Sequence, residues 1–132
     1  MEIVRATVDN AYELGYVHAM SWQAAYGDFV PEAKLASFTP ENRKKAFRKH
    51  LTVGKYECYL CYVEKKPMGL LILGKSQDID ADESVGEVCA IYLLPKFWGQ
   101  GYGKQLMDFA IDRLKALSYS TITLWVLEKN IR

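Results

Sequence analysis

A glycine-rich turn, Gly99 to Gly103, constrains this chain more than any other feature of its sequence. It follows an apolar run at residues 88–94, which is typical of a strand covered on both faces and which Pro95 ends. After the turn, apolar residues recur at helical spacing, at Leu106, Ala110, Leu114 and Leu117. The sequence therefore predicts a buried strand, a tight turn and a helix, in that order.

The turn has the composition of a phosphate-binding loop. Three glycines alternate at the predicted helix start, where backbone can approach a ligand closely and unpaired N–H groups carry partial positive charge. A Walker loop is excluded because Gly103-Lys104 is followed by Gln105 rather than Ser or Thr. The dinucleotide fingerprint is excluded because only one residue separates successive glycines. A turn that merely packs the strand on the helix remains the alternative.

The remaining patterns predict an α/β fold in one domain spanning residues 1–132. We expect a short strand at 3–5 and a helix that starts after Thr7 and ends near Gly27. A short helix follows Pro31, and Thr39 caps another at 40–51. Downstream we expect a hairpin of 56–64 and 68–73 around a corner at 65–67, an exposed loop at 75–84 and a last strand at 121–127.

Composition narrows the classes of protein. A chain of 132 residues that is 50% hydrophobic can bury one core. Its 17 basic and 16 acidic residues leave a net charge of +1, which disfavours a general binder of nucleic acid or of anionic membranes. No apolar run approaches the roughly 20 residues of a membrane span, and the first residues do not resemble a signal sequence. We therefore expect a soluble, cytoplasmic protein.

Cys58 and Cys61 form a C-x-x-C pair that could indicate zinc or redox chemistry. They lie in a run of period-2 alternation, and an odd spacing of three places the two thiols on opposite faces of a strand. Cys89 stands apart in another apolar run. We expect three reduced, structural cysteines and no metal site.

The segment Trp98-Gly99-Gln100-Gly101-Tyr102-Gly103 resembles the central motif of the GNAT superfamily of N-acetyltransferases, which is Arg or Gln, two residues, Gly, one residue, then Gly or Ala. Trp98 departs from the usual Arg or Gln at a position that acts mainly through its backbone. Residues 91–95 resemble the fourth strand of the family, and residues 124–127 with Asn130 resemble its fifth strand and the Asn that follows. The resemblance covers nearly the whole chain and is most specific over 87–130.

The resemblance implies a mixed, splayed central sheet with helices on both faces, and acetyl-CoA as the acetyl donor. In this family the pyrophosphate lies on the amides of the glycine loop, while pantetheine pairs with strand backbone as an added strand would. The residues that correspond to cofactor-binding positions are Ile91, Tyr92, Leu93, Trp98, Gly99, Gln100, Gly101, Tyr102, Gly103, Lys104 and Asn130.

Acetyl transfer to an amine needs the amine neutral, and a lysine-like amine with a pKa near 10.4 rarely is at pH 7, a deficit of roughly 4.6 kcal/mol. Glu87, at the start of the apolar strand, is the candidate general base, with a solvated or salt-bridged carboxylate as the alternative. Tyr92 and Tyr102 are candidate proton donors for the leaving thiolate. Trp22 and Tyr26 are candidate acceptor contacts, although core packing would also explain them.

Two further features are weaker. His18, on the first predicted helix, could touch substrate, but a lone histidine is more often structural or on the surface. A basic patch at residues 43–49 could meet the 3′-phosphate of coenzyme A or an acidic partner, although a solvated helix face explains it more simply.

The family's sheet ordinarily continues with a helix and two strands beyond the position of Asn130, so the chain resembles a domain that is incomplete at its C-terminus. An apolar strand at the sheet edge invites pairing with a second copy, which predicts a homodimer. We expect transfer of acetyl to a primary amine of a small molecule by direct attack in a ternary complex. The alternatives are a catalytically impaired acyl-CoA-binding domain and an acetyltransferase for protein N-termini or lysines.

Overall fold

The computed structural model describes residues 1–28, 30–76 and 83–124. Within these ranges the strands form one open, mixed sheet in the order β1-β2-β3-β4-β5. Their bounds are β1 (Glu2–Arg5), β2 (Glu57–Val63), β3 (Lys66–Lys75), β4 (Val85–Leu93) and β5 (Thr121–Leu124). Strands β1 to β4 are antiparallel neighbours, and β5 runs parallel to β4.

The helices are α1 (Ala11–Tyr26), α2 (Glu32–Ser37), α3 (Pro40–Val53) and α4 (Tyr102–Ala116). A short 3-10 turn at Val8–Asn10 precedes α1, and the Asn10 side chain accepts a hydrogen bond from the Thr7 amide at 2.9 Å. Thr39 caps α3 as predicted, because its hydroxyl accepts from the Asn42 amide at 3.2 Å. None of the helices in the described ranges is both long and apolar enough to cross a membrane.

The two faces of the sheet carry different helices. On one face, α1 and α3 bury Leu14, Val17 and Phe47 against Leu60 and Leu70. On the other, the predicted stripe of α4 packs on the sheet, with buried residues Leu106, Ala110 and Leu114 among Met68, Leu71, Leu73 and Val88. Each fully buried leucine contributes about 1.5–3 kcal/mol. The predicted mixed α/β fold with helices on both faces is therefore confirmed.

The two cysteines of the C-x-x-C pair lie as predicted. Cys58 packs in the cluster under α1 and α3, whereas Cys61 packs under α4. Burial raises the pKa of Cys58 to about 11 and that of Cys61 to about 12, so both stay protonated thiols at neutral pH. Within the described residues no group of three metal-ligating side chains is present.

Three local predictions were wrong. The hairpin turn lies at Glu64-Lys65, both with positive φ, because Lys66 and Pro67 already belong to β3. Leu117 is 38% exposed, because α4 ends one residue before it. Ser76 is buried rather than part of an exposed loop, since it continues directly from β3 toward β4. Residues 77–82 of that predicted loop and residues 125–127 of the predicted last strand lie outside the described residues.

Helices α1 and α3 touch through their backbones at Gly15. A Cβ built on Gly15 would lie 2.6 Å from the Lys44 nitrogen and 2.8 Å from the Pro40 carbonyl oxygen, closer than real Cβ atoms approach. Only glycine permits this crossing. The contact also brings His18, one turn further along α1, beside Arg43 of α3.

A charged network around Glu57 connects helix α4 to strand β2, two strands away from β4. Arg113 donates two hydrogen bonds to the Glu57 carboxylate, from Nε to Oε1 and from Nη2 to Oε2, both at 2.8 Å. The Tyr59 hydroxyl donates to Oε1 at 2.6 Å, and Arg5 Nη1 lies 3.4 Å from Oε2. The Arg113 hydrogen bonds are the main reason that the pKa of Glu57 falls to about 2.

This lowered pKa predicts an acid-dependent loss of stability. Because the folded-state pKa of Glu57 lies below its ordinary 4.5, its contribution is complete above about pH 4.5 and disappears as pH falls toward 2. We expect Glu57→Gln to lower the free energy of unfolding by about 1–2 kcal/mol at pH 7, after allowing for solvent screening. Urea titrations from pH 7 to pH 3 should show the two proteins converging at acid pH.

The exposed pair of Lys104 and Asp108, 3.1 Å apart on α4, provides the control. Asp108→Asn should change the unfolding free energy by less than about 0.5 kcal/mol at every pH. A gap between wild type and Glu57→Gln that stayed constant with pH would contradict this account of Glu57.

Candidate active site

The turn between β4 and α4 has the backbone of a ligand cradle. A 3-10 turn at Pro95–Phe97 leads out of β4, and Gly101 is the N-cap of α4. Gly99 and Gly101 have φ values of +74° and +86°, in the left-handed region that favours glycine. Nothing lies within 4 Å of a Cβ built on either residue, so the space beside both glycines is open. A Cβ on Gly103 would make only ordinary contact with Leu93.

The amides of this turn have no protein acceptor among the described residues. The first hydrogen bond inside α4 runs from the Gln105 amide to the Gly101 carbonyl at 3.2 Å, which leaves the amides of residues 99–104 without a backbone partner. The Gln100 side chain turns back to donate to the Lys96 carbonyl at 2.6 Å. A row of free N–H groups at a helix N-terminus fits a phosphate group.

The Trp98 side chain has a role of its own in this turn, besides the backbone role expected at its position. The indole Nε1 donates a hydrogen bond to the Leu93 carbonyl at 2.9 Å. The side chain therefore fastens the turn to the last residue of β4. Tyr102, at the start of α4, is held edge-on against Phe97 with ring centroids 5.9 Å apart.

Strand β4 offers backbone on its outer edge beside the turn. Its pairing with β5 runs from Val85 opposite Thr121 to Val88 opposite Leu124. Beyond that pair, no described strand lies along the outer edge at Ile91 to Leu93. The side chains of Ile91 and Leu93 pack toward α4, so both residues serve the core. The Leu93 carbonyl is taken by the Trp98 indole, whereas no described strand covers the outer backbone edge at Ile91 and Tyr92. Asn130 lies outside the described residues.

An irregularity in β4 places Glu87 and Tyr92 on the same face of the sheet. In a regular strand residues five apart lie on opposite faces. Here the pairing with β3 shifts near Cys89, with Ile72 opposite Ala90 but Leu73 opposite Val88. Glu87 therefore lies opposite Gly74 and Tyr92 opposite Leu70, on the face that α1 covers.

The Glu87 carboxylate is buried, with 4% of the residue exposed. The Ser76 hydroxyl donates to its Oε1 at 3.3 Å, and no Lys or Arg nitrogen within the described part of the chain lies within 4.0 Å of it. The alternative of a solvated or salt-bridged strand-end carboxylate is thus not what the described residues show. A buried carboxylate without a cation is the type of group that can accept a proton from a bound cationic amine.

A cluster of rings with one arginine, here called the aromatic cluster, lies on the same face. Its members come from α1, from the segment before α3, from α3 and from β4; they are His18, Trp22, Tyr26, Phe38, Arg43, Phe47 and Tyr92. Trp22 stacks on Phe38 with centroids 4.2 Å apart and lies 5.6 Å from Tyr26. The His18 ring lies 4.6 Å from Tyr92 and 5.1 Å from Phe38. The predicted acceptor contacts on α1 and the predicted cofactor strand therefore meet in one cluster.

His18 is an uncharged acceptor in this cluster. Arg43 Nε donates to its Nδ1 at 3.3 Å, and burial, with a smaller contribution from the Arg43 charge, lowers the pKa of His18 to about 4. Burial likewise raises the pKa of Tyr92, so its phenol keeps its proton at neutral pH.

The sequence patterns missed how these residues combine. His18 was considered alone, apart from Trp22 and Tyr26, and nothing in the sequence indicated that Phe38 and Arg43 lie beside it. Arg43 was expected on a solvated helix face, yet it is half-buried with its guanidinium 4.8 Å from the Phe38 ring centroid. The partnership of Ser76 with Glu87 crosses a loop and left no signal in the sequence.

A family model described as acetyltransferase (GNAT) family matches residues 12–132. A curated protein of Bacillus subtilis named uncharacterized N-acetyltransferase YuaI is 25% identical over 126 residues, which is 95% of this chain and 70% of that protein.

Solved structures agree in fold. The PaiA N-acetyltransferase of Thermoplasma acidophilum, in complex with coenzyme A, has a TM-score of 0.74 at 17% identity and covers 98% of this chain and 80% of that chain. The aminoglycoside acetyltransferase meta-AAC0020 from an uncultured soil metagenomic sample, in complex with sisomicin, has a TM-score of 0.69 at 12% identity. The match covers 96% of this chain and 78% of that chain.

The Trp98 indole provides a test of the cradle. Trp98→Phe keeps an aromatic ring but removes the donor to the Leu93 carbonyl, so the turn loses its attachment to β4. We expect the dissociation constant for coenzyme A to rise about 5- to 10-fold, the equivalent of one hydrogen bond. Isothermal titration calorimetry measures this, with Trp22→Phe in the aromatic cluster as the control that should leave the constant unchanged. Equal constants for wild type and Trp98→Phe would show that the indole does not position the turn.

Proposed function

Because the chain belongs to the acetyltransferase (GNAT) family, with acetyl-CoA as its cosubstrate, we propose that it transfers acetyl to the primary amine of a small molecule. The observation that carries this proposal is the turn after β4, whose amides at residues 99–104 have no acceptor among the described residues and open on unoccupied space at Gly99 and Gly101. Such a cradle has the donors that a pyrophosphate requires.

Strand β4 and the turn after it bind different parts of the cosubstrate. We assign the pyrophosphate to the amides of Gln100 to Lys104, with Trp98 and Gly99 shaping the turn. We assign pantetheine to the backbone of Ile91, Tyr92 and Leu93, along the edge that no described strand covers, and to Asn130. The six steps along β4 from Glu87 to Leu93 span about 20 Å between the candidate base and the turn. The bound cosubstrate supplies an acetyl group activated as a thioester.

Glu87 is the proposed general base. An acceptor ammonium must lose a proton before its nitrogen can attack, and Glu87 is a buried carboxylate without a cationic partner among the described residues. It accepts one hydrogen bond from Ser76 and lies on the face where the aromatic cluster collects Trp22 and Tyr26. Glu87 can take the proton directly or through a water.

Tyr92 is the proposed donor for the thiolate that departs. It lies on the same face as Glu87. Burial raises the pKa of its phenol, so the phenol holds its proton at neutral pH and gives it up only to a strong base such as the thiolate as it leaves. Tyr102 is the second candidate, but its ring packs against Phe97 at the turn. The nitrogen loses two protons in all, one to Glu87 before attack and one as the tetrahedral intermediate collapses. Tyr92 gives one proton to sulfur and recovers the second proton of the nitrogen, while Glu87 passes the first to solvent. No side chain of this protein has to carry the acetyl group.

The alternatives differ in chemistry or in acceptor. A catalytically impaired domain would bind acyl-CoA through the same turn without turnover. An acetyltransferase for protein N-termini or lysines would use the same base on a peptide amine. The aromatic cluster, built from Trp22, Tyr26 and Phe38 over β4, favours a small acceptor that these rings can enclose.

Coenzyme binding and turnover together test the proposal. We expect coenzyme A to bind with a micromolar dissociation constant by calorimetry and to raise the melting temperature, because it binds only the folded state. Incubation with acetyl-CoA and a panel of small primary amines should release free thiol. Binding without thiol release on any amine would establish the impaired domain instead, and absence of binding at millimolar coenzyme A would refute the enzyme assignment.

Replacing Glu87 tests the base. Glu87→Gln keeps the size and a hydrogen-bond acceptor for Ser76 but cannot take a proton, so kcat should fall by about 10²- to 10⁴-fold. The acid limb of the pH profile of kcat/KM should disappear with it. Glu83→Gln, at an exposed glutamate, is the control and should match wild type. An unchanged pH profile in Glu87→Gln would remove Glu87 from the proton transfer.

The homodimer and the cytoplasmic location stay predictions. Strand β5 pairs with β4 along one edge, and the residues that follow it lie outside the described ranges. Size-exclusion chromatography with light scattering tests the dimer directly, since a cooperative monomer would contradict it.

A further inference from the structure

Arg43 carries a positive charge that the described part of the chain leaves without a carboxylate. The ion pairs of these ranges involve Arg5, Lys75, Lys104 and Arg113, and none brings an acidic oxygen within 4.0 Å of the Arg43 guanidinium. Partial burial removes part of the hydration of a guanidinium, so an anion bound beside it would be stabilised. The described residues do not supply that anion.

The surroundings of Arg43 hold it in place without neutralising it. Nε donates to Nδ1 of the uncharged His18 at 3.3 Å, while the guanidinium lies 4.8 Å from the Phe38 centroid and 5.9 Å from that of Phe47. The contacts with two rings and one hydrogen bond to a neutral acceptor hold the guanidinium in position. The two terminal nitrogens have no protein acceptor among the described residues and are not fully buried, so they remain free to donate.

Arg43 lies where an acceptor would bind. His18 connects it to Tyr92, whose ring centroid is 4.6 Å from that of His18, and Arg43 is close enough to Tyr92 to affect its ionisation. Trp22, a predicted acceptor contact, stacks on the same Phe38 ring as Arg43, with centroids 4.2 Å apart, and Tyr26 lies 5.6 Å from Trp22. The free donors thus belong to the group of side chains that surrounds Tyr92 on the face shared with Glu87.

We infer that Arg43 recognises an oxyanion on the acceptor, so that the substrate is a primary amine that also carries a carboxylate or a phosphate. This inference rests on the proposed function and narrows its substrate class. A planar guanidinium with two free nitrogens matches the two oxygens of a carboxylate or phosphate. Glu87 and Arg43 then act on opposite ends of one molecule, the first on the ammonium and the second on the anion.

The same charge disfavours other acceptors. A diamine or polyamine would place a second ammonium near Arg43, where like charges repel in a partly desolvated site. Amines that carry no anionic group would leave the guanidinium without an anion to pair with. Lys45, Arg48 and Lys49 of α3 are solvent-exposed and provide no such discrimination, and the half-buried Lys44 lies over the Tyr12 ring, 6.0 Å from its centroid.

The test uses the full chain saturated with acetyl-CoA. The acceptors are ω-amino acids of increasing length with their ω-amino amides, phosphoethanolamine with ethanolamine, and diamines of matching length. Wild type is compared with Arg43→Gln, which keeps a donor for His18 but loses the charge, with Arg43→Lys and with the control Arg48→Gln. Calorimetry of each protein with coenzyme A alone, and its melting temperature, are recorded alongside.

We expect kcat/KM to be higher for amines with an anionic group than for their neutral partners, and to fall about 10- to 100-fold in Arg43→Gln for the anionic acceptors alone. Most of the change should lie in KM, with Arg43→Lys intermediate and Arg48→Gln like wild type. The affinity for coenzyme A should not change. The better acceptor of the two anionic series identifies carboxylate or phosphate as the recognised group.

Three results would overturn the inference. The first is an equal loss of kcat/KM on anionic and neutral acceptors in Arg43→Gln. The second is a higher kcat/KM for diamines than for the anionic amines, and the third is that no anionic amine gives any thiol release. If coenzyme A binds and other amines are acetylated, the proposed function stands and only the role of Arg43 fails. If coenzyme A does not bind, the proposed function itself fails. Should Arg43→Gln melt well below wild type, Arg43→Lys still tests the inference: it keeps the charge but lacks the planar fork, so its loss of kcat/KM should be confined to the anionic acceptors, and an equal loss on neutral acceptors would overturn the inference.

Discussion

The break in the alternation of β4 is the constraint on which the candidate site depends. One irregular step near Cys89 brings Glu87 and Tyr92 to the same face, while Val88 and Leu93 keep the other face apolar for α4. Without that step, a carboxylate at position 87 would point into the α4 core whenever Tyr92 faced α1. Burying an unpaired carboxylate in such a core would cost several kcal/mol. The strand thus contributes to the core with some side chains and to the site with others.

The helices over the site are placed by backbone contact rather than by side chains alone. The close approach of α1 and α3 at Gly15 puts His18 beside Arg43, and the aromatic rings then fill the space between the helices and Tyr92. An arginine held by rings and a neutral histidine keeps its charge available for a ligand, whereas a carboxylate partner would neutralise it. On the opposite face of the sheet, Arg113 of α4 shows the contrasting case. Two of its nitrogens donate to the Glu57 carboxylate in β2, so its charge is paired within the protein.

Strong local patterns were predicted well, and interactions between distant segments were not. The glycine turn, the stripe of α4, the Thr39 cap and the two faces of the C-x-x-C strand all follow from spacing, because helix and strand periods fix which residues share a side. Ends of elements were less certain, as the position of Leu117 shows. The Trp98 indole was missed because its acceptor is a backbone carbonyl, which no residue type announces. Arg43 was misplaced because a helical wheel cannot tell which neighbour approaches.

The sequence by itself determined that a buried strand enters a glycine turn at the start of an amphipathic helix, and hence that free amides gather there. Backbone conformation and local period are encoded within a few residues, so this part needed no knowledge of the fold. Only the tertiary structure decided which side chains face the space beside β4. The register shift in β4, the crossing of α1 and α3 at Gly15 and the hydrogen bond between these helices place those side chains. The rings of His18 and Tyr92, 74 positions apart in the chain, then come into contact. Such contacts are set by packing of the whole chain.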